Sequence, residues 1–123
     1  MDGNRRFAWG RSLQTEAGHS AGKQKLKEVM RWVLDLEIPY LTVYALSTEN
    51  LSSRDDAELE TLFDLYISGL EEISQDPLIH DNNVRVQVVG RKELLPSRVL
   101  DAIKKAEEAT SKYSDFLFTV CLA

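Results

Sequence analysis

The chain is 123 residues long, which is room for one domain with a modest core. Hydrophobic residues at 43% and charged residues at 28% give an ordinary globular composition and exclude a disordered chain. Lys and Arg number 15 against 20 Asp and Glu; the net charge of -5 excludes a general nucleic-acid-binding face, although a local basic pocket could still take a small anion.

Met1-Asp-Gly-Asn-Arg-Arg6 reads as a polar loop without the apolar segment of a signal peptide, and no stretch reaches the roughly 20 apolar residues of a membrane span. A cytoplasmic location is expected, with any membrane contact peripheral. A first helix is predicted from about His19 to Leu36. Leu26, Val29, Met30, Val33 and Leu34 recur there at helical spacing, Lys23, Lys25, Lys27 and Arg31 lie outside the stripe, and Pro39 follows the end. Tyr40–Leu46 is β-branched, aromatic and apolar on both faces, which suits a buried parallel strand.

A second helix opens at Ser52–Asp56, where Ser53 and Asp56 fit a capping box. Its stripe of Leu59, Leu62, Phe63, Tyr66, Ile67, Leu70 and Ile73 is the strongest periodicity in the chain. His80 and Asp81–Asn83 read as surface turn. Val84–Val89 is a strand closed by Gly90, and Pro96-Ser97 starts a third helix with Val99, Ile103 and Ala106 inward. Phe116–Leu122 is the last strand and contains Cys121, expected to be a buried, inert thiol. A single cysteine excludes an internal disulfide and a Cys-rich zinc site.

Helices between strands imply crossovers and a parallel sheet. The fold class is α/β, a mostly parallel sheet with flanking helices. Ligands in such sheets sit beyond the carboxyl ends of the strands. Asp2–Arg6 and Ser47–Asn50 are the polar clusters expected at that end. No strand precedes the first cluster and no loop follows the last strand, so residues 1–123 are expected to be the N-terminal part of a larger α/β domain.

Asp2-Gly3-Asn4-Arg5-Arg6 combines a carboxylate, an unhindered backbone, an amide and two guanidiniums. Gly lets backbone N–H groups approach an anion, and Arg makes bidentate contacts to phosphate oxygens. The carboxylate suits Mg²⁺ or a proton. Gly18-His-Ser-Ala-Gly22, opening the first helix, adds a second anion-binding feature. Together these describe a diphosphate–magnesium pocket. Residue types and spacing alone equally allow a plain turn at Asp2–Asn4, a capping role for His19 and an ordinary polar loop at Ser47–Asn50.

Met1–Ala8, Ala17–Gly22 and Leu41–Asn50 resemble the first blocks of the cis-prenyltransferases, the undecaprenyl and dehydrodolichyl diphosphate synthases. Asn83–Gly90 and Phe116–Ala123 are similar to later blocks, in the same order. The resemblance implies condensation of isopentenyl diphosphate onto an allylic diphosphate, giving a long-chain polyprenyl diphosphate with cis double bonds. It implies that Asp2 is the essential carboxylate and holds Mg²⁺. Gly3, Asn4, Arg5, Arg6 and Phe7 would bind the allylic substrate, with a further phosphate contact from His19. Ser47, Glu49 and Asn50 would support the isopentenyl group and orient Asp2, Asn50 counting with Asp2 as catalytic, and Thr48 and Arg54 would also bind substrate. Arg54 and Glu58 match a family pair only if one residue is inserted before Arg54. Leu26, Met30, Ala45, Leu62, Phe63 and Tyr66 are candidates to line a tunnel for the growing chain, or else plain core.

Phe7, Thr15 and Leu51 depart from common family residues without breaking the pocket. The larger departure is the absence of the family's C-terminal isopentenyl-binding blocks, so little or no turnover is expected of this chain by itself, and homodimerisation is expected of a full-length form. A trans-prenyltransferase would need Asp-Asp-x-x-Asp, which Asp55-Asp56-Ala-Glu-Leu59 fails, and no P-loop is present. The rival reading is a non-catalytic subunit that binds a prenyl diphosphate or a partner chain. Such partners usually lose the Met-Asp-Gly-Asn block that this chain keeps.

Overall fold

In the computed structural model the described residues are 15–123, with side chains from residue 24 onward. Helix α1 spans Thr15–Asp35, strand β1 Tyr40–Leu46, helix α2 Thr48–Ser53 and helix α3 Asp56–Gln75. Helix α4 (Pro77–Asp81), strand β2 (Val84–Val89), a 3-10 turn (Lys92–Leu94), helix α5 (Ser97–Ala109) and strand β3 (Phe116–Leu122) complete the order. No described helix is long and apolar enough to cross a membrane.

The three strands form a parallel sheet in the order β1-β3-β2. Alternation puts one set of side chains against the helices. Val84, Val86 and Val88 of β2 are almost fully buried there, between the exposed Arg85 and Gln87. Phe118 and Leu122 of β3 share that face. Two core clusters result. Leu62, Phe63 and Leu70 of α3 interlock with Val99, Ile103 and Ala106 of α5 over one end of the sheet. Met30 and Leu34 of α1 pack with Ile79, Val84 and Phe118 over the other.

Helix α5 also closes the outer edge of β2. The Val86 N–H donates to Thr110 Oγ1 at 3.0 Å and the Val88 N–H to Glu107 Oε2 at 3.1 Å, so amides that would face solvent find acceptors on the helix side. Thr110 is fully buried and donates its own hydroxyl to the Ala106 carbonyl.

Several expectations are corrected. The residue at the start of α3 whose side chain caps it is Asp55, not Ser53: its Oδ1 accepts from the Glu58 N–H at 2.8 Å. At Ser47–Asn50, where the sequence also allows an ordinary polar loop, Ser47 caps α2 and Thr48–Asn50 form its first turn. His80 is helical and fixed at both ring nitrogens, with Nδ1 2.6 Å from Tyr113 Oη and Nε2 2.7 Å from the Ser74 carbonyl. β1 is not covered on both faces among the described residues: Tyr40 and Tyr44 are 70% and 59% exposed. Cys121, on the same face as Tyr44 by register, is half-buried rather than buried.

Candidate functional site

The parallel strands point their carboxyl ends one way, and three chain segments meet there: Ser47 after β1, Gly90 after β2 and Ala123 after β3. The Ala123 N–H donates to the Leu46 carbonyl at 2.6 Å, and the Arg91 N–H donates to the Ala123 carbonyl at 2.7 Å. Gly90 sits at φ +131, and a Cβ there would lie 2.2 Å from the Leu122 carbonyl oxygen. Only glycine allows that approach.

Ser47 and Asn50 form a reciprocal capping box. The Asn50 N–H donates to Ser47 Oγ and the Ser47 N–H to Asn50 Oδ1, both at 3.1 Å. Two candidate polar side chains are thus engaged in shaping the turn itself. Thr48 and Glu49, between them, are exposed. Arg54, at the end of α2, lies 2.5 Å from Glu58 Oε1 through Nη1; both side chains are largely buried, at 17% and 14% exposure. Arg54 Nε is buried with no hydrogen-bond partner among the described residues. The structure therefore brings together Ser47, Asn50, Arg54 and Glu58 on one short stretch.

An apolar groove runs from this end along the sheet, between α1 and α3. One cavity of about 100 Å³ is lined by Leu26, Val43, Ala45, Tyr66, Gly69 and Leu122, among others. A second, of about 90 Å³, lies against Met30, Gly69, Ile73 and Ile79. Leu26, Gly69, Ile73 and Phe118 line both, so the two are successive parts of one groove. Among the tunnel candidates, Leu26, Met30, Ala45 and Tyr66 line it. Leu62 and Phe63 do not; they are buried in the core between α3 and α5. Gly69, Val43 and Ile73 are lining residues that sequence reasoning missed. Gly69 carries no side chain to register in a periodic stripe, and the apolar patterns of β1 and α3 do not by themselves tell Val43 and Ile73 from core.

The Tyr66 hydroxyl donates to the Ala45 carbonyl at 2.9 Å. Burial pushes its pKa up to about 12, opposed by the Arg54 charge nearby. The phenol is therefore a neutral donor throughout the physiological range.

Asp2, Gly3, Asn4, Arg5, Arg6 and Phe7 lie outside the described residues. His19 falls in the first turns of α1, but its side chain also lies outside them. Among the described residues no three of His, Cys, Asp and Glu come together as a metal cluster. Asp2, the carboxylate expected to take Mg²⁺, is not among those residues; a carboxylate is a hard oxygen donor of the kind that ion prefers.

The family described as "Putative undecaprenyl diphosphate synthase" matches residues 1–123, the whole chain. The chain belongs to this prenyltransferase family. It is 49% identical over 123 residues to a protein of Methanopyrus kandleri named tritrans,polycis-undecaprenyl-diphosphate synthase (geranylgeranyl-diphosphate specific), covering 100% of this chain and 45% of that one. It is 41% identical over 122 residues to an isoprenyl transferase of Deinococcus radiodurans, covering 44% of that protein. A crystal structure of lavandulyl diphosphate synthase from Lavandula x intermedia, in complex with dimethylallyl diphosphate, matches the prenyltransferase chain at TM-score 0.92 and 27% identity, over 100% of this chain and 52% of that one. The chain thus spans about half the length of the relatives it matches.

Proposed function

We propose that these residues form the allylic-substrate half of a cis-prenyltransferase site, in a protein that condenses isopentenyl diphosphate onto an allylic diphosphate to make a long-chain polyprenyl diphosphate. The observation that carries the reading is the apolar groove between α1 and α3, whose lining reaches Ala45 of β1 and Leu122 of β3, two residues and one residue short of Ser47 and Ala123 at the carboxyl ends of the strands. A prenyl tail is a long apolar chain with one charged end. An apolar groove on the sheet that carries the polar Ser47–Asn50 turn at its carboxyl end fits that division.

In this reading Arg5 and Arg6, with the backbone of Gly3 and the amide of Asn4, hold the allylic diphosphate. Phe7 packs beside it and His19 adds a phosphate contact. When the allylic carbon–oxygen bond breaks, charge grows on the departing diphosphate, and guanidiniums placed on its oxygens stabilise that state more than the ground state. The isopentenyl double bond then attacks the allylic carbon to form the new carbon–carbon bond, and the resulting cation gives up a proton to the released diphosphate, restoring a double bond. Asp2 would hold Mg²⁺ and assist, and the ion when bound would supply further charge neutralisation at the diphosphate. Ser47, Thr48 and Glu49 support the isopentenyl group, while Asn50 orients Asp2 and Arg54 lends positive charge to the same end. Leu26, Met30, Ala45 and Tyr66 enclose the growing chain. Because the chain spans 45% of the Methanopyrus kandleri relative, the 123 residues by themselves are proposed to bind the allylic diphosphate with little or no turnover. Homodimerisation, a cytoplasmic location and peripheral membrane contact belong to the same reading for a full-length protein; the long apolar product supports the last.

Calorimetric titration with geranylgeranyl diphosphate and Mg²⁺ tests it. Binding is expected for the folded chain, with loss of a tenfold or greater factor in affinity for Arg6→Ala, about 1.5–3 kcal/mol for a hydrogen bond to a charged group. Asp2→Ala should remove the Mg²⁺ dependence. A folded chain that binds no allylic diphosphate overturns the proposal, and robust condensation by the 123 residues overturns the claim of little turnover.

A further inference from the structure

The β1–β3 pairing changes register once. The Leu117 N–H donates to the Pro39 carbonyl, an offset that would carry on to place the Ala123 N–H on Ala45. It is found on Leu46 instead, and the strand partners slip between Tyr44 and Leu46. Ala45 is the extra residue of a β-bulge, and its carbonyl has left the sheet ladder. Tyr66 Oη takes it up at 2.9 Å.

The bulge has a visible consequence. Tyr40 and Tyr44 face the open side of the sheet, and strict alternation would send Leu46 the same way. Leu46 is instead 1% exposed and packs in the α3–α5 core. One residue later the capping box of Ser47 and Asn50 begins. A bulge at a strand end re-aims the residues beyond it, and a slip of one residue reverses every side chain.

We infer that Tyr66 is a positioning residue: its hydroxyl holds the Ala45 carbonyl out of the ladder, keeps the bulge in place, and so fixes the direction in which the Ser47–Asn50 turn leaves the sheet. The ring of Tyr66 meanwhile walls the groove beside Ala45 and Gly69. One side chain therefore lines the apolar groove and holds the strand two residues before the polar turn. A Phe at this position would serve as wall equally well and would leave the carbonyl without its donor. The cheapest repair is for Ala45 to recover the Ala123 amide, which erases the bulge and turns Leu46 outward. That this turn lies at the diphosphate end rests on the function proposed above.

The test separates the two claims. Cross-hydrogen-bond couplings in an isotope-labelled sample report which carbonyl the Ala123 amide bonds. The wild-type chain is expected to show Leu46 and Tyr66→Phe to show Ala45, wholly or as a second population, with faster exchange of the Asn50 amide. A Tyr66→Phe chain that keeps the Leu46 coupling and the Asn50 protection overturns the inference, as does a wild-type chain coupled to Ala45. The wild-type measurement stands even if the variant does not fold. In parallel, the affinity of Tyr66→Phe for geranylgeranyl diphosphate with Mg²⁺ is expected to fall about tenfold or more, the scale on which small misplacements act. Unchanged affinity in a register-shifted variant overturns the positioning role, whereas absence of binding by the wild-type chain overturns the proposed function and leaves the register result to decide on the bulge.

Discussion

Two glycines of this chain predict opposite outcomes for the same substitution. Gly90→Ala would place a Cβ 2.2 Å from the Leu122 carbonyl oxygen, 2.9 Å from the Leu122 carbonyl carbon and 3.0 Å from the Ala123 oxygen. All three are backbone atoms, so no side-chain rotation relieves the contact. The φ of +131 adds strain for any residue with a Cβ. Backbone strain of about 1–3 kcal/mol and overpacking of similar size give an expected loss of roughly 2–6 kcal/mol. That is a large share of the roughly 5–15 kcal/mol typical of a domain. Gly69 lies inside α3, and a Cβ added there meets nothing within 4 Å. Gly69→Ala should therefore gain about 0.5–1 kcal/mol from helix propensity and a stiffer unfolded chain. Urea unfolding followed by circular dichroism reads both as shifts in midpoint at constant slope. Because Gly69 lines both cavities of the groove, the added methyl should weaken binding of a long prenyl tail while the fold becomes more stable. Gly90→Ala within about 0.5 kcal/mol of wild type, the range of ordinary surface changes, would refute the close approach that the structure shows. A destabilised Gly69→Ala would refute the open groove.

Thr110→Val keeps the shape of a fully buried side chain and leaves the Val86 N–H without an acceptor, a cost of about 1–3 kcal/mol. Amide exchange at Val86 should accelerate in that variant and stay slow in Thr110→Ser, and equal protection in both would refute the edge closure. Glu37 follows α1 at φ 56, with its N–H on the Leu34 carbonyl and the Ile38 N–H on the Val33 carbonyl, the helix-ending motif that favours glycine. Glu37→Gly is expected to raise stability by about 0.5–1 kcal/mol, read as a higher thermal midpoint; a lower midpoint would refute it.

The long helices and all three strands are legible in the sequence because their patterns are long. The seven-residue stripe of α3 extends over most of that helix, and Val84–Val89 alternates over its first half before Gly90 ends it. The short helices are not, since Thr48–Ser53 and Pro77–Asp81 hold too few residues for a period to register. Their signals are local: Asp76 caps Pro77–Asp81 through the Leu78 N–H, with Pro at the first position, and Ser47 with Asn50 caps Thr48–Ser53. Asp55 and Ser53 offer competing caps three residues ahead of an acidic side chain, and only the hydrogen bond decides between them. His80 looks like a turn residue because its two partners, Ser74 and Tyr113, are 6 and 33 positions away. Tyr66 does carry a hint of its role, since a phenol in an otherwise apolar stripe must find a partner when buried.

What no local pattern could reveal is how the sheet ends are finished. β2 is closed along its edge by two side chains at the end of α5, Thr110 and Glu107. β1 loses one carbonyl from its ladder at Ala45, and an α3 side chain, Tyr66, recovers it. In both cases a helix supplies hydrogen-bond groups where the ladder stops, so strand and helix must be in register with each other as well as with their own neighbours. Helix α3 contacts α5 through buried Leu62 and Phe63, which gives that pair of core residues a consequence for the site they do not line. Leu62 and Phe63 lie three or four residues before Tyr66 on the same helix, so a change in their packing is expected to be felt at the Tyr66 hydroxyl. Tyr66 is thus where the α3–α5 core, the groove lining and the end of β1 meet in one side chain.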